Sequence, residues 1–364
     1  MTWQDAHNIL CVRLDQMGDV LMTTPALRAV RGNRSRTVTL LTSSSGAVAA
    51  RHVPEVSDII VYDPPWMKQS SPQGSSDEDH RIIAELRSRR FDAGIIFTVF
   101  SQSPLPAATA LYLAEIPLRL AYCRENPYAL LTDWVKDTEP ASGIRHEVQR
   151  QIDLVATVGW QHAHEHLSFS IPQSASQRIA SLISGFSLTE RWLVVHPGAS
   201  APSRRYPPQL FAEALALLMQ QGWDVVFTGT EQERSLIEGI RSNLPRPSTS
   251  LAGLLPLAEL AALIKRAPLL LANNTGPSHI AAAVGTPVVT LYALTNPQHT
   301  PWRVHSAVLS HDVPCRNCFK STCPEGHHHC MSLIEPHRVA QACIHLFEST
   351  RQSSYGEAYA YTGN

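Results

Sequence analysis

The 364-residue chain lacks the features that mark membrane, secreted and nucleic-acid-binding proteins. No apolar run approaches the roughly 20 residues that a membrane-spanning helix needs. The first residues, MTWQDAHNILCVRL, lack the basic start, apolar core and small-residue cleavage site of a signal peptide. The formal net charge is −1, whereas a protein that wraps nucleic acid needs a basic field. We therefore expect a cytoplasmic protein whose partners do not include nucleic acid.

Charged residues are scarce at 17%, while hydrophobic residues make up 44%, a balance typical of a globular protein. The length exceeds one ordinary core and suits two domains. Apolar strand-like runs alternate with helical patterns in both halves, as parallel sheets require. Ile171–Gln177 is predicted to be a linker and Pro64–Asp79 a mobile loop. We predict two doubly wound, Rossmann-like α/β domains at 1–171 and 178–347 with a cleft between facing loop ends, followed by a disordered tail at 348–364.

The stretch from Asn8 to Arg31 carries the first candidate site. A short apolar run typical of a buried strand leads through Gly18-Asp19 into a helical pattern. The helix begins either at Pro25, with Thr24 as its cap, or near Asp19 with a bend at Pro25. In both cases Asp19 follows the carboxyl end of a strand, where open α/β sheets bind ligands. A plain helix cap explains Asp19 equally well at this point.

Two further strand exits, in the second half, favour binding of a phosphate. Asn273–His279 leaves an apolar strand and opens a helix, with Gly276 permitting close backbone approach. Free amides and the helix dipole there suit an anion, although an ordinary capped helix has the same pattern. His196–Pro207 leaves another strand and carries Arg204 and Arg205, whose guanidinium groups suit a diphosphate. Glu231, after a third strand, is placed to accept ribose hydroxyls.

An acid in one domain and a phosphate site in the other indicate an inverting group transfer. Asp19 would deprotonate an acceptor hydroxyl, and Arg204 with the helix N-terminus would stabilise the leaving diphosphate. One carboxylate is enough because a nucleoside diphosphate leaves without protonation by a second acid.

The sequence resembles glycosyltransferase family 9, the ADP-heptose:lipopolysaccharide heptosyltransferases, up to about Phe347. The resemblance rests on these segments: RLDQMGDVLMTTPALR, TVFSQSPLPAATALYLAEIPLRLAYCRENPY, RHEVQRQIDLVATVG, HPGAS with RRYP, FTGTEQE, NNTGPSHIAAAVGTPVVTLY and CPEGHHHCM.

The resemblance implies a GT-B fold and transfer of heptose, with inversion, from an ADP-sugar to a lipopolysaccharide-type or other lipid-linked acceptor. It also implies that catalysis needs no metal and that the enzyme works at the inner face of the inner membrane through peripheral contact. Its catalytic base matches Asp19, with the acceptor side at Gly18, Thr23 and Thr24. Its donor-binding positions match Ser200, Arg204 (or Arg205), Glu231, Asn274, Thr275, Gly276 and His279. The family usually has Asp where this chain has Asn274, so the donor sugar is open.

Seven cysteines in a reducing compartment favour thiols or metal ligands over disulfides. Four of them, Cys315, Cys318, Cys323 and Cys330, form the pattern C-x2-C-x4-C-x6-C. This pattern predicts a structural zinc or iron site, with unliganded thiols or a redox pair as alternatives. A zinc knuckle that binds nucleic acid is disfavoured by the near-zero net charge.

Two other functions fit the same two-domain pattern. A nucleotide-sugar epimerase would use the donor site without an acceptor. A non-enzymatic interaction module on a decayed transferase fold is opposed by the presence of Asp19, Arg204 and Glu231.

Overall fold

The computed structural model describes residues 1–32, 36–67 and 76–360. The chain divides into two compact units, Met1–Ser170 and Ile171–Asn364, each built on its own sheet. The first helix of the second unit begins at Gln173, so the predicted linker Ile171–Gln177 is wrong from Gln173 onward.

The first unit is a six-stranded parallel sheet in the order β3-β2-β1-β4-β5-β6. Its central strand, β1, is apolar and buried along nearly its whole length, as a strand covered on both faces must be. The strands are β1 (Asn8–Arg13), β2 (Thr37–Thr42), β3 (Asp58–Val61), β4 (Ala93–Ile96), β5 (Leu118–Cys123) and β6 (Asp133–Lys136), and the helices are α1 (Met17–Arg31), α2 (Ser44–Ala50), α3 (Ser76–Ser88), α4 (Leu105–Leu113) and α5 (Glu147–Ala156).

The second unit repeats the plan with the strand order β12-β11-β10-β7-β8-β9, again all parallel. Its core lies between the sheet and helices such as α7 and α12. The elements are α6 (Gln173–Ser184), β7 (Trp192–His196), α7 (Pro208–Gln220), β8 (Asp224–Phe227), α8 (Arg234–Arg241), β9 (Thr249–Ser250), α9 (Leu257–Arg266), β10 (Leu270–Asn273), α10 (Gly276–Val284), β11 (Val288–Leu291), β12 (Ser306–Leu309), α11 (His329–Ser332) and α12 (Pro336–Ala360).

Both sheets have a point where the strand order reverses, between β1 and β4 in the first unit and between β7 and β10 in the second. Ligands of doubly wound sheets bind beyond the carboxyl ends of the strands at such a switch point. The loops after β1, β7 and β10 are those that the sequence identified as candidate sites, so the fold places each candidate where binding is expected.

The helix after β1 begins before Asp19, which decides between the two predicted starts. α1 starts at Met17 and contains Pro25. Proline has no N–H, so the carbonyl of Leu21 lacks its usual helical partner, and the Thr24 hydroxyl donates to that carbonyl instead at 2.7 Å. Thr24 therefore supports the interior of the helix and does not cap it.

Two predicted irregular segments are partly helical. α3 begins at Ser76, inside the loop predicted for Pro64–Asp79, and residues 68–75 lie outside the described residues. α12 runs to Ala360, so the tail predicted to be disordered from residue 348 continues as helix, and residues 361–364 lie outside the described residues. Among the described helices, none combines the length and apolarity needed to cross a bilayer.

Candidate active site

Asp19 lies in the first turn of α1, directly beyond the carboxyl end of β1. One of its oxygens accepts a hydrogen bond from the backbone N–H of Gln16 at 3.1 Å, which caps the helix. The other accepts from the Arg13 guanidinium at 3.3 Å. The side chain keeps 16% of its surface exposed. Asp19 therefore serves as a helix cap and still presents a carboxylate to solvent at the switch point.

Arg13, the last residue of β1, is completely buried and contacts three carboxylates. Besides Asp19, it donates to Glu147 at the start of α5 at 2.8 Å and forms an ion pair with Asp15 at 2.9 Å. Burial alone would lower the pKa of Arg13, but the carboxylates of Asp15, Glu147 and Asp19 outweigh it and raise that pKa. Burial raises the pKa of Asp15 to about 6, against the opposing effect of Arg13. Burial likewise raises the pKa of Glu147.

Of the three predicted acceptor-side residues, two are buried. Thr23 and Thr24 have no exposed surface, and their hydroxyls donate to the Asp19 and Leu21 carbonyls within α1. The structure thus gives both hydroxyls partners inside the helix, and their predicted contact with an acceptor stays a prediction. Gly18 keeps partial exposure at the start of the helix.

In the second unit, Asn273 joins two of the candidate loops. Its buried amide donates to the carbonyl of Pro197 at 2.7 Å and accepts from the backbone N–H of Tyr206 at 3.2 Å. Asn273 ends β10, whereas Pro197 and Tyr206 bracket the loop that follows β7. The loop carrying Arg204 is therefore fixed beside the turn that opens α10.

That turn has the form of an anion-binding helix start. Thr275 is the N-cap residue of α10, and Gly276 is its first residue, both partly exposed. The N–H groups at this end lack partners within the helix, and the helix dipole makes them attractive to negative charge. His279, one turn further, is buried.

Arg204 and Arg205 have different surroundings. Arg205 is exposed, and its Nε donates to the carbonyl of Ala199 at 2.8 Å. Arg204 is half-buried, and its guanidinium forms no hydrogen bond or ion pair with the part of the chain that the structure describes. Its charge nevertheless acts on the buried hydroxyl of Tyr292. The geometry therefore favours Arg204 as the cation available to a ligand. Ser200, in the same loop, is exposed.

Tyr292, which the sequence did not single out, is the centre of a buried polar cluster at the end of β11. Its hydroxyl donates to the Asn296 carbonyl at 2.8 Å and accepts from the His299 backbone N–H at 3.2 Å. Burial raises its pKa to about 12, and the His299 N–H, Arg204 and the Asn274 amide each counter that rise. The Asn274 nitrogen is buried and forms no hydrogen bond of normal geometry within the described residues.

The two acids after β8, Glu231 and Glu233, have different surroundings. Glu231 is 64% exposed and pairs with Arg234 at 2.6 Å, so no buried partner holds it for a ribose. Glu233 caps the turn at Thr230 and lies 3.9 Å from the imidazole of His196. Burial lowers the pKa of His196, and Glu233 opposes that shift.

A largely apolar cavity of about 480 Å³ lies at the loop that follows β9. It is lined by Arg178, Ser181, Leu182, Leu251, Leu254 and Leu255. Gly253 lies between two of these lining residues, and a Cβ there would come within 2.1 Å of the Glu231 carboxylate.

Burial is the main cause of a raised pKa of Cys330, and the other three thiols of the segment 315–330 raise it further. The four cysteines are therefore near enough to act on one another. The Sγ of Cys315 also lies 3.8 Å from Nε2 of His327. However, no three metal-binding side chains within the described residues are arranged to hold an ion. The segment does contact the Arg204 loop, because the Ser203 N–H and hydroxyl donate to Ser321 and Lys320 carbonyls.

Comparison with known structures first establishes the class of fold. A glycosyltransferase family 9 structure from Veillonella parvula superposes with a TM-score of 0.78 at 20% identity, covering 96% of this chain and 98% of that one. The Escherichia coli ADP-heptose lipopolysaccharide heptosyltransferase II superposes with a TM-score of 0.73 at 22% identity, covering 94% and 99%. The predicted GT-B class of two Rossmann-like units is confirmed.

Sequence comparison then gives the family. Residues 80–329 match glycosyltransferase family 9 (heptosyltransferase), so this chain belongs to that family and is a glycosyltransferase. It is 29% identical to lipopolysaccharide heptosyltransferase 2 of Salmonella typhimurium over 280 residues, covering 72% of this chain and 78% of that protein. It is 23% identical to lipopolysaccharide heptosyltransferase 3 of Escherichia coli over 295 residues, covering 79% and 82%.

Proposed function

We propose that this glycosyltransferase moves a heptose from an ADP-sugar to a lipopolysaccharide inner-core acceptor, with inversion at the anomeric carbon. The names of the relatives support the sugar, the acceptor and the donor: they are lipopolysaccharide heptosyltransferases, and one structural neighbour is named as an ADP-heptose lipopolysaccharide heptosyltransferase. The observation that carries the proposal is that the hydrogen bonds of Asn273 hold the loop carrying Arg204 beside the start of α10, at the switch point of the second unit.

In the proposed reaction Asp19 takes the proton from an acceptor hydroxyl. The freed oxygen forms a bond to the anomeric carbon on the face opposite the diphosphate, while the bond between that carbon and the diphosphate oxygen breaks. The electron pair of the broken bond leaves with ADP. Arg204 and the N–H groups of Thr275 and Gly276 stabilise the added charge on the diphosphate. No second acid is needed, since the leaving group is already an anion.

The rest of the donor would occupy the groups around this anion site. The apolar cavity at the loop after β9 suits the flat face of a nucleobase. Glu231 can exchange Arg234 for ribose hydroxyls because the ion pair is solvent-exposed and weak. Ser200 and His279 remain proposed donor contacts. The cluster of Asn274 and Tyr292 offers neutral hydrogen-bonding groups to the sugar.

Catalysis as proposed uses no metal. Four neighbouring thiols are a donor set that zinc or iron accepts, but their arrangement is not that of a preformed site. A structural metal in the segment 315–330 would therefore require rearrangement, and metal analysis of purified protein tests it. Peripheral contact with the inner membrane is part of the proposal, because the acceptor is part lipid.

The test is transfer by purified protein from ADP-, UDP- and GDP-sugars to a truncated lipopolysaccharide core, with the anomeric configuration of the product read by NMR. We expect an inverted glycoside from ADP-heptose, and loss of turnover with retained donor binding in Asp19→Asn. Transfer from another sugar nucleotide would overturn the heptose assignment and point to Asn274. Full turnover by Asp19→Asn would refute the base role, and acceptor-independent conversion of the donor would favour an epimerase.

A further inference from the structure

The environment of Asp19 contains more charge than the proposed reaction uses. Three carboxylates converge on the guanidinium of Arg13, and each comes from a different segment. Asp19 belongs to α1, Glu147 to α5, and Asp15 to the turn between β1 and α1. Residues 134 positions apart in the sequence thereby meet at the carboxyl end of the central strand.

Glu147 differs from the other two acids because it cannot meet a substrate. Its side chain is only 1% exposed, and besides Arg13 it accepts a hydrogen bond from Gln151 at 2.6 Å. Glu147 thus fixes the Arg13 guanidinium from the buried side. The remaining N–H groups of Arg13 face two partly exposed carboxylates, Asp15 at 12% and Asp19 at 16%.

The single positive charge of Arg13 cannot neutralise three carboxylates, so Asp15 and Asp19 share its electrostatic stabilisation. Asp15 also accepts a hydrogen bond from Gln102 at 2.6 Å. Arg150 of α5 is another cation that acts on Glu147, and the carbonyl of Thr98 accepts hydrogen bonds from Arg150 and Gln151. Within the part of the chain that the structure describes, Arg13, Asp15 and Glu147 are charged groups of this cluster that act on one another and on Asp19.

We propose that Arg13 is a positioning residue for the transfer reaction: anchored by Glu147, it holds the Asp19 carboxylate in the orientation and charge state of a base, while Asp15 competes for the same guanidinium. The inference rests on the proposed base role of Asp19. Arg13 itself is buried and touches no substrate.

The test is the pH dependence of kcat/KM in variants of the cluster. Arg13→Lys keeps the charge and loses the forked geometry, and Arg13→Gln loses both. We expect kcat to fall about tenfold or more in Arg13→Gln, with the acid limb of the profile about one pH unit higher, because an opposite charge within ~4–6 Å favours an ionised carboxylate by ~1–3 pKa units. Arg13→Lys should restore part of both effects. The KM for the donor should not change.

Asp15→Asn should shift the acid limb of the pH profile in the opposite direction, and it changes a residue that is not fully buried. Removing this competing negative charge should move the acid limb to lower pH. Arg150→Lys is the matched control, because Arg150 is as buried as Arg13, forms its ion pairs with Asp137 and Glu139, and as lysine keeps the positive charge that acts on Glu147. It should lower thermal stability and leave the acid limb in place.

The Asp19→Asn variant separates failure of this inference from failure of the proposed function. If Asp19→Asn retains turnover, the base role is wrong and the proposed function fails with it. If Asp19→Asn is inactive but Arg13→Gln and Asp15→Asn leave the acid limb where it is in folded protein, only the positioning role is refuted. Arg13→Lys in the Asp19→Asn background should cause no further loss.

Discussion

Replacement of Arg204 by alanine tests the anion site most directly. The guanidinium is half-buried and makes no hydrogen bond or ion pair with the described residues, so its removal breaks no contact of the fold. The 3₁₀ turn that carries it, Pro202–Arg204, is held by backbone and Ser203 contacts that the substitution leaves intact. Because the substitution breaks no hydrogen bond or ion pair among the described residues, we expect Arg204→Ala to fold and to lose affinity for the nucleotide.

The expected size of that loss follows from the bonds that a guanidinium can make. A hydrogen bond to a charged group contributes about 1.5–3 kcal/mol. One such bond to the diphosphate corresponds to an increase of about 10- to 150-fold in the Kd for ADP. The helix start at Thr275 and Gly276 remains in the variant, so binding should weaken and not vanish.

Calorimetric titration with ADP, UDP and GDP is the assay, and Arg205→Ala is the matched control. Arg205 is one position along the chain, carries the same charge and is exposed, but its Nε is already bound to the Ala199 carbonyl. Arg205→Ala should change the Kd by less than about threefold, within the range of surface charges. An unchanged Kd in Arg204→Ala together with a large loss in Arg205→Ala would refute the assignment.

Three further predictions concern the support of the two sites. Tyr292→Phe removes a hydroxyl with two hydrogen bonds to the following loop, so stability in urea should fall by about 1–3 kcal/mol and ADP affinity with it. Asn273→Ala leaves the Pro197 carbonyl and the Tyr206 N–H without their partner, and the loss should be on the order of 3 kcal/mol. Because the pKa of Asp15 is raised in the folded state, its protonated carboxyl stabilises the protein fully below about pH 4. This stabilisation is lost as the pH rises through about 6. Asp15→Asn should therefore remove a decline of up to about 3 kcal/mol in urea stability between those values, and an identical decline in both proteins would contradict the pKa.

The fold was predictable because its signals are local. A buried parallel strand needs an apolar run, and the turn after it needs small or polar residues, so β1, β7 and β10 could be placed from sequence alone. The switch-point rule then predicts which strand ends carry ligands. Asp19 and Thr275 were found by this route, since each directly follows such a strand.

The contacts that complete the sites were not predictable, because they join distant segments. Nothing near Arg13 in the sequence indicates Glu147, which lies 134 positions further along the chain. The start of α1 was ambiguous because its cap is Gln16, which is not a typical capping residue. Thr23 and Thr24 looked available as hydroxyls, yet the interior of α1 uses both.

Asn274 is the position where the charge of the donor site is decided. Its side chain is 2% exposed and lies beside the Tyr292 hydroxyl, on which Arg204 also acts. A carboxylate there, as the resemblance to the family implies, would place a negative charge beside the hydroxyl on which Arg204 acts. In the proposed donor site the neutral amide adds no such charge, so a diphosphate would meet the cation and the helix start without a competing carboxylate at this position. Position 274 carries an amide and not a carboxylate, so charge at this position does not distinguish one donor sugar from another. In the proposed site, discrimination between sugars has to come from hydrogen bonds of neutral groups such as Asn274.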